Sequence, residues 1–188
     1  TKAAGFYNTL LDIDQPAVVI EPLNGYRTKE QLPSNYGQFK TPIGEIEILK
    51  EGTDITLVSY GSTFNIVINV AEEIEKYGIS CEVIDVQSLI PFDIKKEISK
   101  SVIKTNRLLI IDEDLPGGCS SYILQELLEK QDIYKHLDSK PSLLTAKDHR
   151  PPYGSDGDYA SKPSFEDIFE RIYLIMRESD PEKYKELF

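Results

Sequence analysis

The sequence predicts an α/β fold in three layers, with helices covering both faces of a mostly parallel sheet. Strand patterns and helix patterns alternate four times after residue 44, which is typical of a parallel sheet with right-handed crossovers. Leu108–Ile111 is apolar at every position, as a strand buried on both faces requires. Residues 45–49 alternate between polar and apolar side chains. We therefore expect them to form one antiparallel strand at an edge of the sheet.

The first 44 residues differ from the rest of the chain. Residues 3–11 have helical spacing, and residues 16–20 are an apolar run between two prolines that predicts a buried strand. The polar stretch that follows, rich in Gly, Pro and Asn, is long for a loop inside a compact domain. We therefore expect residues 1–22 to be the last helix–strand step of a preceding domain, residues 23–44 to be a linker, and residues 45–188 to be the main domain.

The strands of the main domain are indicated by short runs rich in apolar and β-branched residues. The runs predicted to pair in parallel are residues 55–59, 81–86, 108–112 and 142–145. A turn and a helical pattern follow each of the first three runs, which places the crossover helices between successive strands.

Four helices are predicted from apolar side chains that recur every three or four residues. The side chains predicted to form their apolar faces are Val67, Val70, Ala71, Ile74, Ile94, Ile98, Val102, Ile123, Leu124, Leu127, Leu128, Phe165, Ile168, Phe169, Ile172 and Met176. Ser62 is a candidate for capping the start of the first helix, and Gly78 stands where that helix needs a left-handed cap. Gly117-Gly118 opens the third helix, and the fourth spans residues 164–177.

Composition and charge limit the classes of partner. The chain has 188 residues, 40% of them hydrophobic, which is enough for one core with a short appendage. Its formal charge is −11 and no run of Lys or Arg is present, so we expect no nucleic-acid partner. No stretch reaches the roughly 18 apolar residues of a membrane span, so we expect no membrane partner and a cytoplasmic location.

The two cysteines form neither a metal pattern nor a disulfide framework. Cys81 lies in an apolar run and Cys119 follows a Gly-Gly turn, so a reducing compartment fits best. Thr1 stands where a methionine would start a complete chain. We therefore expect this sequence to be a piece of a longer polypeptide.

Asp112, Glu113 and Asp114 follow directly after a buried strand, at the edge where open α/β sheets bind their ligands. Three carboxylates at this edge are suited to a metal ion or to a basic partner. The alternative is that only one of them faces the crevice, because consecutive residues at a strand end point in different directions. Both interpretations stay open, and the second is favoured.

Two glycine-containing turns are predicted at the same edge. Leu115–Gly118 precedes a helix, and the free N–H groups of a helix start favour an anion. The segment lacks the glycine and lysine pattern of phosphate loops, and the preceding carboxylates repel phosphate, so a close-packed turn is favoured. Tyr60–Ser62 is a second turn from strand to helix, and it does not match the G-x-S-x-G nucleophile elbow.

The loop of residues 149–159 is the most unusual segment. Pro151-Pro152 limits its freedom, which favours a conformationally fixed interaction loop. Ser155–Asp158 lacks the spaced oxygens and the distal Glu of a calcium loop. Neither His149 nor His136 has a partner for acid–base catalysis that is visible in the sequence, so a structural or surface role is favoured for both. The sequence offers no set of nucleophile, base and orienting group.

Three strings carry a resemblance to a known family. They are Ile43–Gly61 (IGEIEILKEGTDITLVSYG), Cys81–Asp93 (CEVIDVQSLIPFD) and Leu109–Asp114 (LIIDED). They resemble the beta-type half of the decarboxylating component of 2-oxo acid dehydrogenases, and the resemblance covers residues 16–176. It implies a transketolase C-terminal domain-like fold for residues 45–188. The segment 147–158 is more similar to bacterial chains in which alpha-type and beta-type halves are fused, so we expect a fused parent.

The resemblance implies a C-terminal piece of an enzyme that decarboxylates a 2-oxo acid oxidatively and transfers the acyl group to lipoyl groups. A branched-chain 2-oxo acid is among the candidate substrates. The family binds thiamine diphosphate and Mg²⁺ between its other two domains, through a Gly-Asp-Gly motif, a later Asn and an activating Glu in the pyrimidine-binding domain. Residues 1–22 are then the remnant of that pyrimidine-binding domain. Ser155–Asp158 contains Asp-Gly without Gly-Asp-Gly. We therefore assign no catalytic, cofactor-binding or metal-binding residue, and expect this chain alone to be inactive.

The resemblance also implies partners. These are the remaining domains of the same enzyme, a second copy in a dimer, and the dihydrolipoyl acyltransferase of the complex. In that family the C-terminal domain helps to dock a small basic domain of the acyltransferase, and a charge of −11 suits such a partner. Asp156 is the leading candidate for the docking acid and Asp158 the second. The alternative is that both aspartates hold the turn by accepting bonds from nearby backbone N–H groups.

Other functions fit the same fold class. Transketolase and deoxyxylulose-phosphate synthase are related enzymes, but the strings Ile90–Asp93 and Ile111–Asp114 agree less well with them. A free-standing, nonenzymatic binding module of flavodoxin-like shape would have no use for the isolated helix and strand before the linker. The 2-oxo acid dehydrogenase is therefore the favoured interpretation.

Overall fold

The fold consists of one five-stranded sheet with helices on both faces, in a computed structural model that describes residues 2–29, 31, 33–154 and 156–186. The α-helices are α1 (Lys2–Leu11), α2 (Phe64–Ile74), α3 (Glu97–Thr105), α4 (Cys119–Gln125), α5 (Gly157–Ser161) and α6 (Phe165–Ser179). The strands are β1 (Glu47–Lys50), β2 (Ile55–Ser59), β3 (Cys81–Asp85), β4 (Leu108–Ile111) and β5 (Ser142–Leu144). In the part of the chain that the structure describes, no helix is long and apolar enough to cross a membrane.

The sheet has the strand order β1-β3-β2-β4-β5. β2, β3, β4 and β5 pair in parallel, and β1 pairs antiparallel with β3 at the edge. This confirms the predicted fold class and the predicted strands to within two residues at each end. The short β1 carries an irregularity in its register between Ile48 and Lys50, and such an irregularity hinders pairing of the edge with another chain.

Alternate side chains of the central strands enter two separate cores. Leu57 and Leu109 face a core under α2 and α6, whereas Val58 and Ile110 face a core under α3 and α4. These four side chains are fully buried. β4 is buried on both faces, which agrees with its apolar residue at every position.

The helix ends follow local signals in the sequence. Gly78 adopts φ +74° in the left-handed region directly after the 3₁₀ turn that extends α2, as predicted. Ser164 and Asp167 form a reciprocal capping box at the start of α6. The apolar faces of α2, α4 and α6 are confirmed, although the chain after α4 continues as a π-helical turn (Glu126–Lys130).

Two predictions about helix starts are wrong. Ile94 lies before α3 and is 60% exposed, because Asp93 accepts hydrogen bonds from the N–H groups of Glu97 and Ile98, at 2.9 Å each, and so starts the helix later. Ser62 does not cap α2, whose N-cap position is Thr63 and has no side-chain cap bond.

The predicted buried strand at residues 16–20 is also wrong. The segment has no regular secondary structure, and Val18 and Ile20 are 90% and 84% exposed. An apolar run becomes a strand only where a neighbouring strand accepts and donates its backbone hydrogen bonds. Among the described residues no strand pairs with this segment.

Helix α1 is attached to the segment around Thr41 and to the sheet. The N–H of Thr41 donates to the carbonyl of Gly5 at 3.1 Å, and the hydroxyl of Thr9 donates to the carbonyl of Thr41 at 2.7 Å. The ammonium of Lys2 pairs with Asp85, at the end of β3, at 2.9 Å and with Glu47 of β1 at 2.5 Å. The helix, the segment around Thr41 and the sheet edge are therefore joined by specific polar contacts.

Candidate functional site at the carboxyl edge of the sheet

The carboxyl ends of β2 and β4 meet at the point where the strand order reverses. The chain continues from β2 to β3 on one side of the sheet, and β4 is added on the other side of β2. Open α/β sheets bind ligands outside this point. Tyr60 follows β2 here, and Asp112 follows β4.

Asp112 is the centre of this edge. It is 1% exposed and accepts three hydrogen bonds: from the hydroxyl of Tyr60 at 2.7 Å, from the N–H of Asp114 at 3.0 Å, and from the N–H of Ser120 at 2.9 Å. The bond from Ser120 satisfies a free N–H of the first turn of α4, and a carboxylate is stabilised at that helix end. Asp112 thus joins β2, β4 and α4.

Tyr60 connects the end of β2 to Asp112 through its hydroxyl. Burial, and then hydrogen bonding with Cys119 and Asp112, raise the pKa of Tyr60 far above its usual value. The phenol therefore stays protonated at every physiological pH. Tyr60 was not predicted from the sequence as the partner of Asp112, although its place directly after a buried strand was a signal for it.

The three consecutive carboxylates diverge, which confirms the favoured interpretation. Asp112 points inward, Glu113 pairs with Lys162 at 3.0 Å, and the carboxylate of Asp114 accepts the N–H of Leu115 at 2.8 Å. Within residues 2–29, 31, 33–154 and 156–186, no three His, Cys, Asp or Glu side chains are placed to hold a metal ion together.

The turn at Leu115–Gly118 is close-packed, as predicted. A side chain at Gly118 would place its Cβ 2.2 Å from an oxygen of Asp114, and Gly117 has φ +92°. α4 begins only after this turn, at Cys119. Gly118 is therefore explained by the close approach of the chain to Asp114, and Gly117 by its left-handed backbone conformation.

The loop of residues 149–159 lies at the surface after β5. Tyr153 is 89% exposed, and the guanidinium of Arg150 donates to its hydroxyl at 2.6 Å and lies over its ring. The segment ends in the short helix α5, which is preceded by Asp156 and contains Asp158 in its first turn. Ser155 lies outside the described residues. The loop is therefore exposed and held by its own polar contacts.

The docking candidates stand at the surface of this loop. Asp158 is exposed, with Lys162 at 3.8 Å from its carboxylate, and the backbone carbonyl of Asp156 accepts the N–H of Ala160. The ring of His149 bonds to the carbonyl of the next residue at 2.9 Å, and the carbonyl of His136 accepts the side-chain amide of Asn106. The two histidines lie on separate segments and make local contacts, which agrees with structural roles.

Comparison with known sequences shows similarity along almost the whole chain. Residues 44–162 match the family described as "Transketolase, C-terminal domain". The chain is 30% identical over 175 residues to the "Pyruvate dehydrogenase E1 component subunit beta" of Mesostigma viride, covering 93% of this chain and 52% of that protein. The subunit of the same name from a Staphylococcus epidermidis strain is 32% identical over 171 residues, covering 90% and 51%.

A further relative is named for 2-oxoisovalerate instead of pyruvate. The "2-oxoisovalerate dehydrogenase subunit beta 2, mitochondrial" of Arabidopsis thaliana is 37% identical over 131 residues, covering 69% of this chain and 36% of that protein. Among solved structures, the "Split gene transketolase, inactive beta4 tetramer" matches with a TM-score of 0.58 and 21% identity, over 74% of this chain and 45% of that chain, which supports the fold alone. The chain spans about half the length of the first curated relatives it matches.

Proposed function

This chain belongs to the transketolase C-terminal domain family, and we propose that it is the C-terminal part of the beta-type half of a thiamine-diphosphate-dependent 2-oxo acid dehydrogenase. The observation that carries the proposal is the similarity over 90% or more of the chain to pyruvate dehydrogenase beta subunits. The reaction is the oxidative decarboxylation of a 2-oxo acid with acyl transfer to lipoyl groups. A branched-chain 2-oxo acid is the finer proposal, supported by the higher identity to the Arabidopsis subunit.

The role that we propose for this domain is assembly and docking. Its carboxyl edge does not fit thiamine diphosphate or Mg²⁺, because Asp112 already accepts three donors of the chain itself and Glu113 pairs with Lys162. We therefore propose that the cofactor binds in the remainder of the polypeptide. Two predictions from the sequence belong to this proposal. One is the division of the chain into residues 1–22, 23–44 and 45–188, and the other is a parent polypeptide in which alpha-type and beta-type halves are fused.

The test uses the complete polypeptide that contains this sequence. Purified with thiamine diphosphate and Mg²⁺, it is expected to decarboxylate pyruvate or 3-methyl-2-oxobutanoate with reduction of an artificial electron acceptor, and to lose that activity without the cofactor. Ketol transfer between sugar phosphates without 2-oxo acid decarboxylation would identify a transketolase instead. In parallel, calorimetry on the 188-residue chain is expected to detect no thiamine diphosphate binding; stoichiometric, Mg²⁺-dependent binding at micromolar affinity would contradict the assigned role.

Docking to the acyltransferase supplies a more specific prediction. Asp156→Asn is expected to weaken binding to the basic subunit-binding domain of the cognate acyltransferase and to reduce the salt dependence of that binding, because one charge of an electrostatic contact is removed. The free energy of unfolding should change by less than about 0.5 kcal/mol, as for other surface substitutions. Binding is measured by calorimetry at two salt concentrations.

A matched control separates a local contact from the overall negative charge. Glu178→Gln removes one exposed carboxylate at the opposite end of α6 and should leave binding nearly unchanged. Asp158→Asn tests the second candidate. If Asp156→Asn binds as tightly as the parent at low salt, the docking role of this residue is wrong.

A further inference from the structure

Tyr153 presents an aromatic ring to solvent on an ordered loop. It is the most exposed of the described tyrosines, at 89%. The guanidinium of Arg150 lies over the ring, with its central carbon 5.3 Å from the ring centroid, and donates to the hydroxyl at 2.6 Å. Two neighbouring prolines, Pro151 and Pro152, restrict the backbone that leads to the ring. The ring therefore has a defined position although water surrounds most of it.

The start of α5 packs against the same stretch of the loop. A Cβ at Gly157 would lie 2.2 Å from the carbonyl oxygen of Pro152, so a side chain has no room at this position. Asp156 precedes this contact and Asp158 follows it. Tyr153 and the two candidate docking acids therefore stand on one compact loop.

The charges around Tyr153 suit a basic partner. The exposed carboxylates on the loop or next to it belong to Asp148, Asp156 and Asp158. Two lysines of the same stretch are engaged by the chain itself. Lys147 donates to the carbonyl of Ala160 at 2.9 Å, and Lys162 pairs with Glu113. A second copy of this loop would bring like charges together, whereas a basic domain would complement them.

We propose that Tyr153 is the aromatic anchor of a docking surface formed by Tyr153, Asp156 and Asp158, and that an apolar pocket on the basic domain of the acyltransferase receives its ring. The proposal rests on the proposed function and adds an apolar residue to its charged ones. Tyrosine is enriched among the residues that contribute most to binding, because a large ring with few rotatable bonds buries much surface at a small entropic cost. Arg150 lowers that cost further, since it orders the ring before the partner binds.

The test measures, by calorimetry, binding of the complete polypeptide to the purified basic domain of its cognate acyltransferase. Tyr153→Ala is expected to raise the dissociation constant about thirtyfold, as the loss of a central interface tyrosine does. Because the lost contact is uncharged, this ratio should be the same at low and high salt, whereas the effect of Asp156→Asn should fall as salt is added. Tyr134→Ala is the matched control. Tyr134 is 78% exposed in the 3₁₀ turn (Ile133–His136) that packs against α3, and its variant should bind within about twofold of the parent.

A second variant separates the ring from its hydroxyl. Tyr153→Phe keeps the ring and loses the hydrogen bond from Arg150, so it should raise the dissociation constant only about fivefold or less. Parental binding by Tyr153→Ala would overturn the anchor role, and so would equal losses for Tyr153→Ala and Tyr153→Phe. Both variants should keep the melting temperature of the parent within about 2 °C, because this side chain already faces water.

The outcomes can be told apart from those of the decarboxylase assay. A parent that decarboxylates a 2-oxo acid but does not bind the basic domain would overturn the docking role and the anchor together, and would leave the enzyme assignment in place. A changed oligomeric state of Tyr153→Ala in the absence of the acyltransferase would also overturn the proposal, because it would identify a second copy as the occupant.

Discussion

Gly52→Ala is expected to destabilise the domain by about 3 kcal/mol or more, because the added methyl group would collide with backbone. Its Cβ would lie 2.1 Å from the carbonyl carbon of Cys81 and 2.3 Å from the backbone nitrogen of Glu82. Both atoms belong to β3, which is hydrogen-bonded on both sides and has no room to move. The loop would have to detach from the sheet.

Thermal unfolding of the 188-residue chain measures this effect. A loss of about 3 kcal/mol corresponds to a decrease in melting temperature of roughly 10 °C for a domain of this size. Gly37→Ala is the matched control, because a Cβ at Gly37 meets no atom within 4 Å. If Gly52→Ala melts within 2 °C of Gly37→Ala, the close approach of this loop to β3 is not as described.

The same contact explains one of the strings from which the family was predicted. In Glu51–Asp54, Gly52 lies against β3, and the carboxylate of Asp54 accepts the N–H of Ser80 at 2.7 Å, just before that strand. The string therefore joins the connection between β1 and β2 to the start of β3. The resemblance to the family rests in part on this string, and its contacts with β3 give a physical reason for its residues.

The sheet was predictable because its burial leaves a strong pattern. β4 is buried on both faces and all four of its residues are apolar, whereas β1 at the sheet edge combines charged and apolar residues. The segment of residues 16–20 has the same apolar pattern as a buried strand. The hydropathy pattern shows that these side chains are apolar, but it does not show which part of a protein packs against them. That is why the prediction failed there.

The position of the site at the carboxyl edge of the sheet was predictable from the sequence, but the contacts within the site were predictable only in part. The position of Asp112 after a buried strand located it, because parallel strands end at a common edge. Its partners come from β2 and α4, through Tyr60 and the N–H of Ser120, which are distant in sequence. Spacing along the chain carries no information about such contacts. The prediction for Ile94 failed for a local reason. The apolar spacing extends back to Ile94, but Asp93 accepts the N–H groups of Glu97 and Ile98, so the helix begins after Ile94.

Glu82 makes the stability of the domain dependent on Lys104. This carboxylate lies in the middle of β3 and is 1% exposed. Burial by itself raises the pKa of Glu82, but hydrogen bonds from Lys104 and Ser101 and from the N–H of Gly52 outweigh it and hold the pKa below its usual value. A depressed pKa in the folded state contributes stability above the unfolded pKa of about 4.3, and this contribution is lost as the pH falls through the folded pKa.

Lys104→Met is therefore expected to destabilise the domain by about 2–3 kcal/mol at pH 7, because it leaves Glu82 buried without its cation. We expect a loss of stability near the lower end of the usual range for breaking a buried ion pair, since the side chain of Lys104 is 41% exposed and solvent weakens the pair. Without Lys104 the pKa of Glu82 rises, so the carboxylate protonates at higher pH in the variant. The difference between variant and parent in the free energy of unfolding, measured with urea, should accordingly shrink between pH 7 and pH 4.5.

Lys100→Met, which alters an exposed lysine one turn earlier on α3, is the control. Equal losses for both variants, or a loss for Lys104→Met that does not change with pH, would show that Glu82 does not depend on this lysine.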